Sequence, residues 1–179
     1  MLTKILSIMI HTLNEKIKKI KFVITDVDGV LTDGGMYYSI KGDIMKKFNA
    51  KDGMGVSILK RNGISTAIIT KEKNKIVLKW ASKMKIIKVY QGVVKKEDVL
   101  KKICKSYNLS EKNIAYIGDD VNDLEILKKV GFSVSPRDAN HEIRKIVDHI
   151  CKNSGGNGAF RELCDLIVTR KFGNKKKLY

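Results

Sequence analysis

Proline is almost missing from this chain: Pro136 is its one example in 179 residues, and tryptophan also occurs once, as Trp80. With so little proline and no low-complexity stretch, no segment reads as an interdomain linker, and the length fits one domain. Cysteine is scarce too. Cys104, Cys151 and Cys164 are odd in number and far apart, with no C-x-x-C pair. That spacing argues against a disulfide framework and against a structural zinc site, and leaves reduced, buried thiols as the expectation. No apolar run approaches the roughly 20 residues that a membrane-spanning helix needs. Residues 1–20 mix Leu2, Ile5, Leu6, Met9, Leu13 and Ile17 with Lys4, Glu15, Lys16 and Lys18. The spacing predicts an amphipathic helix packing on the domain, not a signal peptide, and hence a cytoplasmic protein.

Acidic residues are outnumbered: 19 Asp and Glu face 36 Lys and Arg, for a formal charge of +17. Such a balance raises nucleic acid or an anionic membrane as partners. The basic residues are mostly lysine, however, and are scattered. Bidentate readout of phosphates and bases favours arginine, and no aromatic residues are interleaved for stacking. The expectation is therefore no nucleic acid and no membrane, with a basic surface suited to an anionic small molecule. The excess of Lys, Ile and Asn reads as the codon bias of an AT-rich genome.

Hydrophobic residues make up 43% of the chain, enough for a core. Short apolar runs alternate with helical patterns. Strands are expected at residues 21–27, 64–70, 86–90, 113–117 and 131–134, with a short one near 147–151. Helices are expected at 54–61, 74–84, 96–107, 121–130, from 138 to about 146, and at 159–169. Repeated strand–helix units predict an α/β fold, a Rossmann-like doubly wound parallel sheet covered on both faces. Residues 34–49 break the rhythm: they alternate like strands around Lys41-Gly42-Asp43, which predicts a projecting β-hairpin. The expected organisation is an N-terminal helix (1–20), one domain (21–170) and a mobile basic tail (171–179).

In a doubly wound sheet, ligands bind beyond the carboxyl ends of the strands, where strand order reverses. The residues at those ends are Asp26 and Asp28 after the first strand, Thr70 after the second, Lys95 and Lys96 past the third, and Asp119, Asp120 and Asp123 after the fourth. Convergent carboxylates repel unless a cation joins them, and Mg²⁺ suits a site with few carboxylates and a phosphate oxygen. A lysine and a threonine hydroxyl suit the remaining phosphoryl oxygens. One aspartate can then attack phosphorus, and a second, two residues on, can move protons. The reading is metal-assisted phosphoryl transfer from a monoester. Alone, each aspartate reads as a turn former or helix cap, and for Asp120 a capping role alone and a role in the site stay equally open. A basic binding protein on a catalytically dead fold is the rival.

DVDGVLTDG (Asp26–Gly34), Thr70, Lys96 and GDDVND (Gly118–Asp123) resemble the four motifs of the haloacid dehalogenase superfamily of phosphatases. The resemblance implies Asp26 as nucleophile and Asp28 as general acid/base. It implies Asp26, the Asp28 carbonyl and Asp119 as Mg²⁺ ligands, with Asp123 near the metal in a water-mediated role. Thr70 and Lys96 would bind phosphate, with Lys95 the rival for Lys96. Only 42 residues separate Asp28 from Thr70, and 26 separate Thr70 from Lys96. A cap domain with its own core does not fit in either interval. GGMYY, KKFNAKDGMG (Lys46–Gly55), QG-x-x-x-K and GGNGAFRE (Gly155–Glu162) also resemble the capless sugar-acid phosphatases, which act on phosphorylated 2-keto-3-deoxy sugar acids. That group implies a homotetramer with hairpins packed centrally and a neighbouring subunit lining each site. Within it, Glu72 and Lys83 resemble the sugar-reading residues of the nonulosonate (sialic acid) 9-phosphate branch. Trp80 stands where that branch has an arginine. The octulosonate 8-phosphate branch, which serves lipopolysaccharide precursor synthesis, remains the first expectation.

Overall fold

The computed structural model describes residues 11–178; residues 1–10, half of the expected N-terminal helix, lie outside the described part. Six strands form a parallel sheet in the order β5–β4–β1–β6–β7–β8. They are β1 (Phe22–Thr25), β4 (Ser65–Ile69), β5 (Lys88–Tyr90), β6 (Ile114–Ile117), β7 (Phe132–Ser135) and β8 (His149–Ile150). The chain enters at β1, winds outward through β4 and β5, then returns to build the other half from β6. The strand order therefore reverses on either side of β1, and the crevice at its carboxyl end is where polar residues can gather.

Every residue of β1 is buried. Alternate side chains feed two cores, as the two-residue period of a strand dictates. Val23 joins one cluster with Ile68, Ile117, Val56 and Ile167, while Phe22 and Ile24 join the other with Ile69, Tyr116, Leu100 and Ile126. The first face is covered by α2 (Ala50–Arg61), α3 (Lys75–Met84) and α7 (Ala159–Phe172). The second is covered by α4 (Lys96–Tyr107), α5 (Leu124–Leu127) and α6 (His141–Ile146). The helix α1, described over residues 11–18, packs on the domain through the fully buried Ile17. The Lys171 ammonium donates to the carbonyls of Lys18 and Ile20 where that helix ends.

Two antiparallel strands, β2 (Tyr37–Ser39) and β3 (Gly42–Met45), form the expected hairpin, with Gly42 at a φ of +96°. Some boundaries differ from expectation. Helix α2 starts four residues before Met54, because the Asn49 side chain caps it by accepting from the Lys51 N–H. The segment expected as one helix over 121–130 is a 3₁₀ turn (Val121–Asp123) followed by the single turn of α5. Helix α7 runs on to Phe172, into the expected tail, and Lys177 exchanges hydrogen bonds with the Asn62 side chain. Among the described residues, no helix is long and apolar enough to cross a membrane.

Candidate active site

Asp26 lies one residue past β1, held by its N–H to the Ile117 carbonyl of the neighbouring strand. The chain turns at once, and Gly29 takes a φ of +86°. A Cβ there would sit 2.0 Å from Asp119 Oδ2, so only glycine lets the first and fourth strand ends approach this closely. Gly118 has the same function beside Asp123, whose Cγ lies 2.5 Å from where a Cβ would be.

Lys96, the first residue of α4, points its ammonium into the centre of the cluster. It is 1% exposed, 2.9 Å from Asp26 Oδ2 and 2.6 Å from Asp123 Oδ1. Burial alone would lower the Lys96 pKa, but the charges of Asp26 and Asp123 outweigh it and hold it above the usual value. Lys95 is exposed outside the cluster, at the N-cap position of α4, so of the two it is Lys96 that meets the aspartates. Asp26, Asp119 and Asp123 bring carboxylate oxygens within 4.8 Å of one another. One lysine cannot balance three acids. Burial, then the charge of Asp123, pushes Asp26 up to about 7. Burial, then the charges of Asp26 and Asp123, pushes Asp119 up to about 8.

The two ends of that acidic group differ. Asp123 is saturated: Oδ1 takes Lys96 and the buried Tyr116 hydroxyl, and Oδ2 accepts from the Asp119 N–H at 3.0 Å. Its carboxylate orients Lys96 and the Asp119 backbone, which fits the expected place beside the metal rather than directly on it. Asp119 Oδ1, by contrast, is buried with no hydrogen-bond partner among the described residues. An orphaned carboxylate oxygen beside a second raised acid is the arrangement a hard divalent cation satisfies. The residues present therefore fit Mg²⁺, which Asp26 and Asp119 would hold, with the Asp28 carbonyl the third ligand that the resemblance implies.

A cavity of about 180 Å³ opens over the cluster, lined by Asp26, Asp28, Thr70, Lys71, Glu72, Asp119, Asp120 and Asn122. Thr70 is buried there, and its Oγ1 accepts from the Glu72 N–H at 3.3 Å, which leaves the hydroxyl proton to donate. Asp120 accepts from the Val121 N–H and so caps the following turn while also lining the cavity. Lys83 is not brought to this cavity. It sits in the last turn of α3, about 13 Å along the helix axis from Asn74. There it lines a separate hollow with Lys46, Phe48, Trp80 and Met84. The Trp80 ring stacks on Phe48 at 4.5 Å and 10°.

Two residues were missed from sequence. Lys46, just after β3, is buried against Asp28 at 2.6 Å, and Asn122 lines the cavity. No local signal separates Lys46 from the other 30 lysines; only the hairpin's return brings it to β1. Burial alone would lower the Lys46 pKa, but Asp28 and Asp43 hold it above its ordinary value. A second group of donor atoms, His149, Cys151 and Glu162, lies at the far end of the sheet. The Glu162 carboxylate there is occupied by the N–H groups of Lys152 and Asn153.

A buried lysine among aspartates, with a hydroxyl opposite, at the switch point of a parallel sheet, defines a phosphoryl-transfer hydrolase of the α/β class. The chain belongs to the haloacid dehalogenase-like hydrolases, whose family pattern matches residues 38–163. It is 36% identical over 156 residues to the 3-deoxy-D-manno-octulosonate 8-phosphate phosphatase KdsC of Haemophilus influenzae, covering 87% of each chain. It is 37% identical over 153 residues to the protein of that name in Escherichia coli K12, covering 86% of this chain and 81% of that one. The crystal structure of the Moraxella catarrhalis 3-deoxy-D-manno-octulosonate 8-phosphate phosphatase, in complex with magnesium ion, phosphate ion and KDO, superposes with a TM-score of 0.86. The identity is 36%, over 89% of this chain and 91% of that one.

Proposed function

We propose that this chain is a Mg²⁺-dependent phosphatase that hydrolyses 3-deoxy-D-manno-octulosonate 8-phosphate through an aspartyl-phosphate. It acts in the cytoplasm, in the synthesis of lipopolysaccharide precursors. The observation that carries the reading is the buried Lys96 bound to Asp26, beside an Asp119 oxygen with no partner, in a chain whose similar curated proteins bear that activity in their names. When bound, Mg²⁺ neutralises the carboxylates and withdraws charge from the phosphoryl oxygens. Asp26 attacks phosphorus in line, and the bond from phosphorus to the sugar oxygen breaks. Lys96 and Thr70 hold the remaining phosphoryl oxygens. Asp28 gives its proton to the departing alkoxide, then takes one from the water that attacks the aspartyl-phosphate.

A cavity of about 180 Å³ holds a phosphoryl group but not an eight-carbon sugar acid. The sugar therefore extends beyond the cavity, against a neighbouring subunit of a homotetramer that supplies the wall a cap domain would otherwise form. The exposed hairpin residues Met36, Tyr38, Ile40 and Ile44 support this assembly as an apolar surface in need of a partner. The alternative substrate, a nonulosonate 9-phosphate, is favoured by one observation: Glu72 lines the catalytic cavity.

Phosphate release from the two sugar-acid phosphates, measured side by side with Mg²⁺, tests the assignment. A kcat/KM preference for the octulosonate of about tenfold or more, worth about 1.4 kcal/mol of transition-state binding, is the expected result. The reverse preference assigns the nonulosonate branch, and no release from either overturns the reading.

A further inference from the structure

We propose that Lys46, from the end of the hairpin and outside the four motifs, is a positioning residue that aims the Asp28 carboxyl group for proton transfer. The inference rests on the reading of Asp28 as general acid/base. Asp28 lies in the turn after β1 with its side chain one-third exposed, so nothing in the strand itself fixes its carboxyl group. Two contacts do so, and both fall on Oδ1: the Lys46 ammonium at 2.6 Å and the Thr32 hydroxyl at 3.3 Å. That leaves Oδ2 as the oxygen free to exchange a proton at the cavity.

The Lys46 side chain is 3% exposed, so its ammonium serves protein groups rather than solvent. Burying an ammonium is costly unless opposite charges surround it. Here they are Asp28 and, at 3.3 Å, Asp43 on the same hairpin. Asp43 is itself held from outside the hairpin, since the Asn74 amide donates to its Oδ2 at 3.0 Å. The Gln91 amide donates in turn to the Asn74 carbonyl at 2.8 Å. A continuous line of contacts thus runs from the end of β5, through the N-cap of α3 and the hairpin, to the acid. The bond from Lys46 fixes where Oδ2 points, and a misaimed acid loses rate through geometry alone.

The test compares two leaving groups. A sugar alkoxide needs a proton as its bond to phosphorus breaks, whereas p-nitrophenolate leaves without one. Because kcat/KM reports steps only up to departure of the leaving group, it isolates the acid's contribution. Lys46→Met keeps the length of the side chain and removes the charge. We expect kcat/KM for octulosonate 8-phosphate to fall about tenfold or more, mainly through kcat, while that for p-nitrophenyl phosphate changes less than about threefold. Asp43→Asn, which loosens Lys46 from the other side, should give a smaller loss with the same selectivity, and decides the matter if the Met variant does not fold. Equal losses on both substrates mean a structural role and overturn the inference, as does an unchanged kcat/KM or a loss confined to KM. Asp28→Asn separates the two levels. It should itself lose activity selectively on the sugar phosphate, and an equal loss on both substrates would bring down the acid/base reading on which the inference depends.

Discussion

Asp26 and Asp119 are the residues on which the proposed chemistry and the protein's stability meet. Both have folded-state pKa values raised above the ordinary aspartate value of 3.8, to about 7 and about 8. The metal-free folded protein therefore binds more protons than the unfolded chain across this interval. Its stability is greatest below about pH 4 with respect to these groups and is lost as pH rises toward 8. A divalent cation binds the ionised carboxylates and opposes the loss. Thermal unfolding with and without Mg²⁺ should show Tm raised more at pH 8 than at pH 5; an equal or smaller rise at pH 8 would mean that these acids do not hold the ion. At this scale much was legible. Asp26, Asp28, Thr70, Lys96 and Asp119 all sit at strand or helix ends, where the alternation of apolar and polar runs already placed them. What was hidden was pairing. That Asp123 Oδ1 takes both Lys96 and Tyr116, or that Lys46 meets Asp28, depends on contacts between distant segments that no spacing encodes.

Helices α2 and α7 are joined by a carboxylate rather than by apolar contact alone. Asp52, in the first turn of α2, is fully buried and accepts from the Arg161 N–H at 2.8 Å, in the first turn of α7. Burial pushes Asp52 up to about 6. Its contribution to stability is present below about pH 4 and lost as pH rises through 6. Asp52→Ala should destabilise by about 1–3 kcal/mol, because the α7 N–H loses its buried acceptor. The variant should also lose less stability than the parent between pH 4 and pH 6. Denaturant unfolding at the two pH values measures both, and an unchanged pH slope would contradict the role given to Asp52. The α2 boundary was hard to read for the same reason that the joint exists. Asp52, Gly53 and Gly55 are buried in the first part of the helix, where periodicity looks for apolar side chains. Gly55 lets α7 approach, since a Cβ there would lie 2.9 Å from Cys164 Sγ. Helix α4, with Val99, Leu100 and Ile103 buried at regular spacing, was legible to both ends.

The whole molecule is an α/β domain whose hairpin tip stays uncovered among the described residues. Ile40, at the hairpin tip, is fully exposed, and Tyr38 and Met36 are each about two-thirds exposed. The sequence pattern announced a projecting hairpin, but one chain's sequence does not state what covers it. For the proposed homotetramer, Ile40→Asp should give smaller species in sedimentation velocity and lower kcat/KM for the sugar phosphate, with Tm of the isolated subunit changed little. An unchanged sedimentation coefficient would place the interface elsewhere. The net charge of +17 belongs to this scale as well, favouring encounter with an anionic substrate rather than fixing any contact.

The central claim, that Asp26 is the nucleophile of a metal-dependent phosphatase, is tested most directly by phosphate release from octulosonate 8-phosphate by the parent and by Asp26→Asn. The account predicts release by the parent only when Mg²⁺ is supplied, and none above background from the variant, whose Tm stays at or above that of the metal-free parent because a buried carboxylate has been removed. Substantial turnover by a folded Asp26→Asn protein, or release by the parent that ignores Mg²⁺, would contradict it.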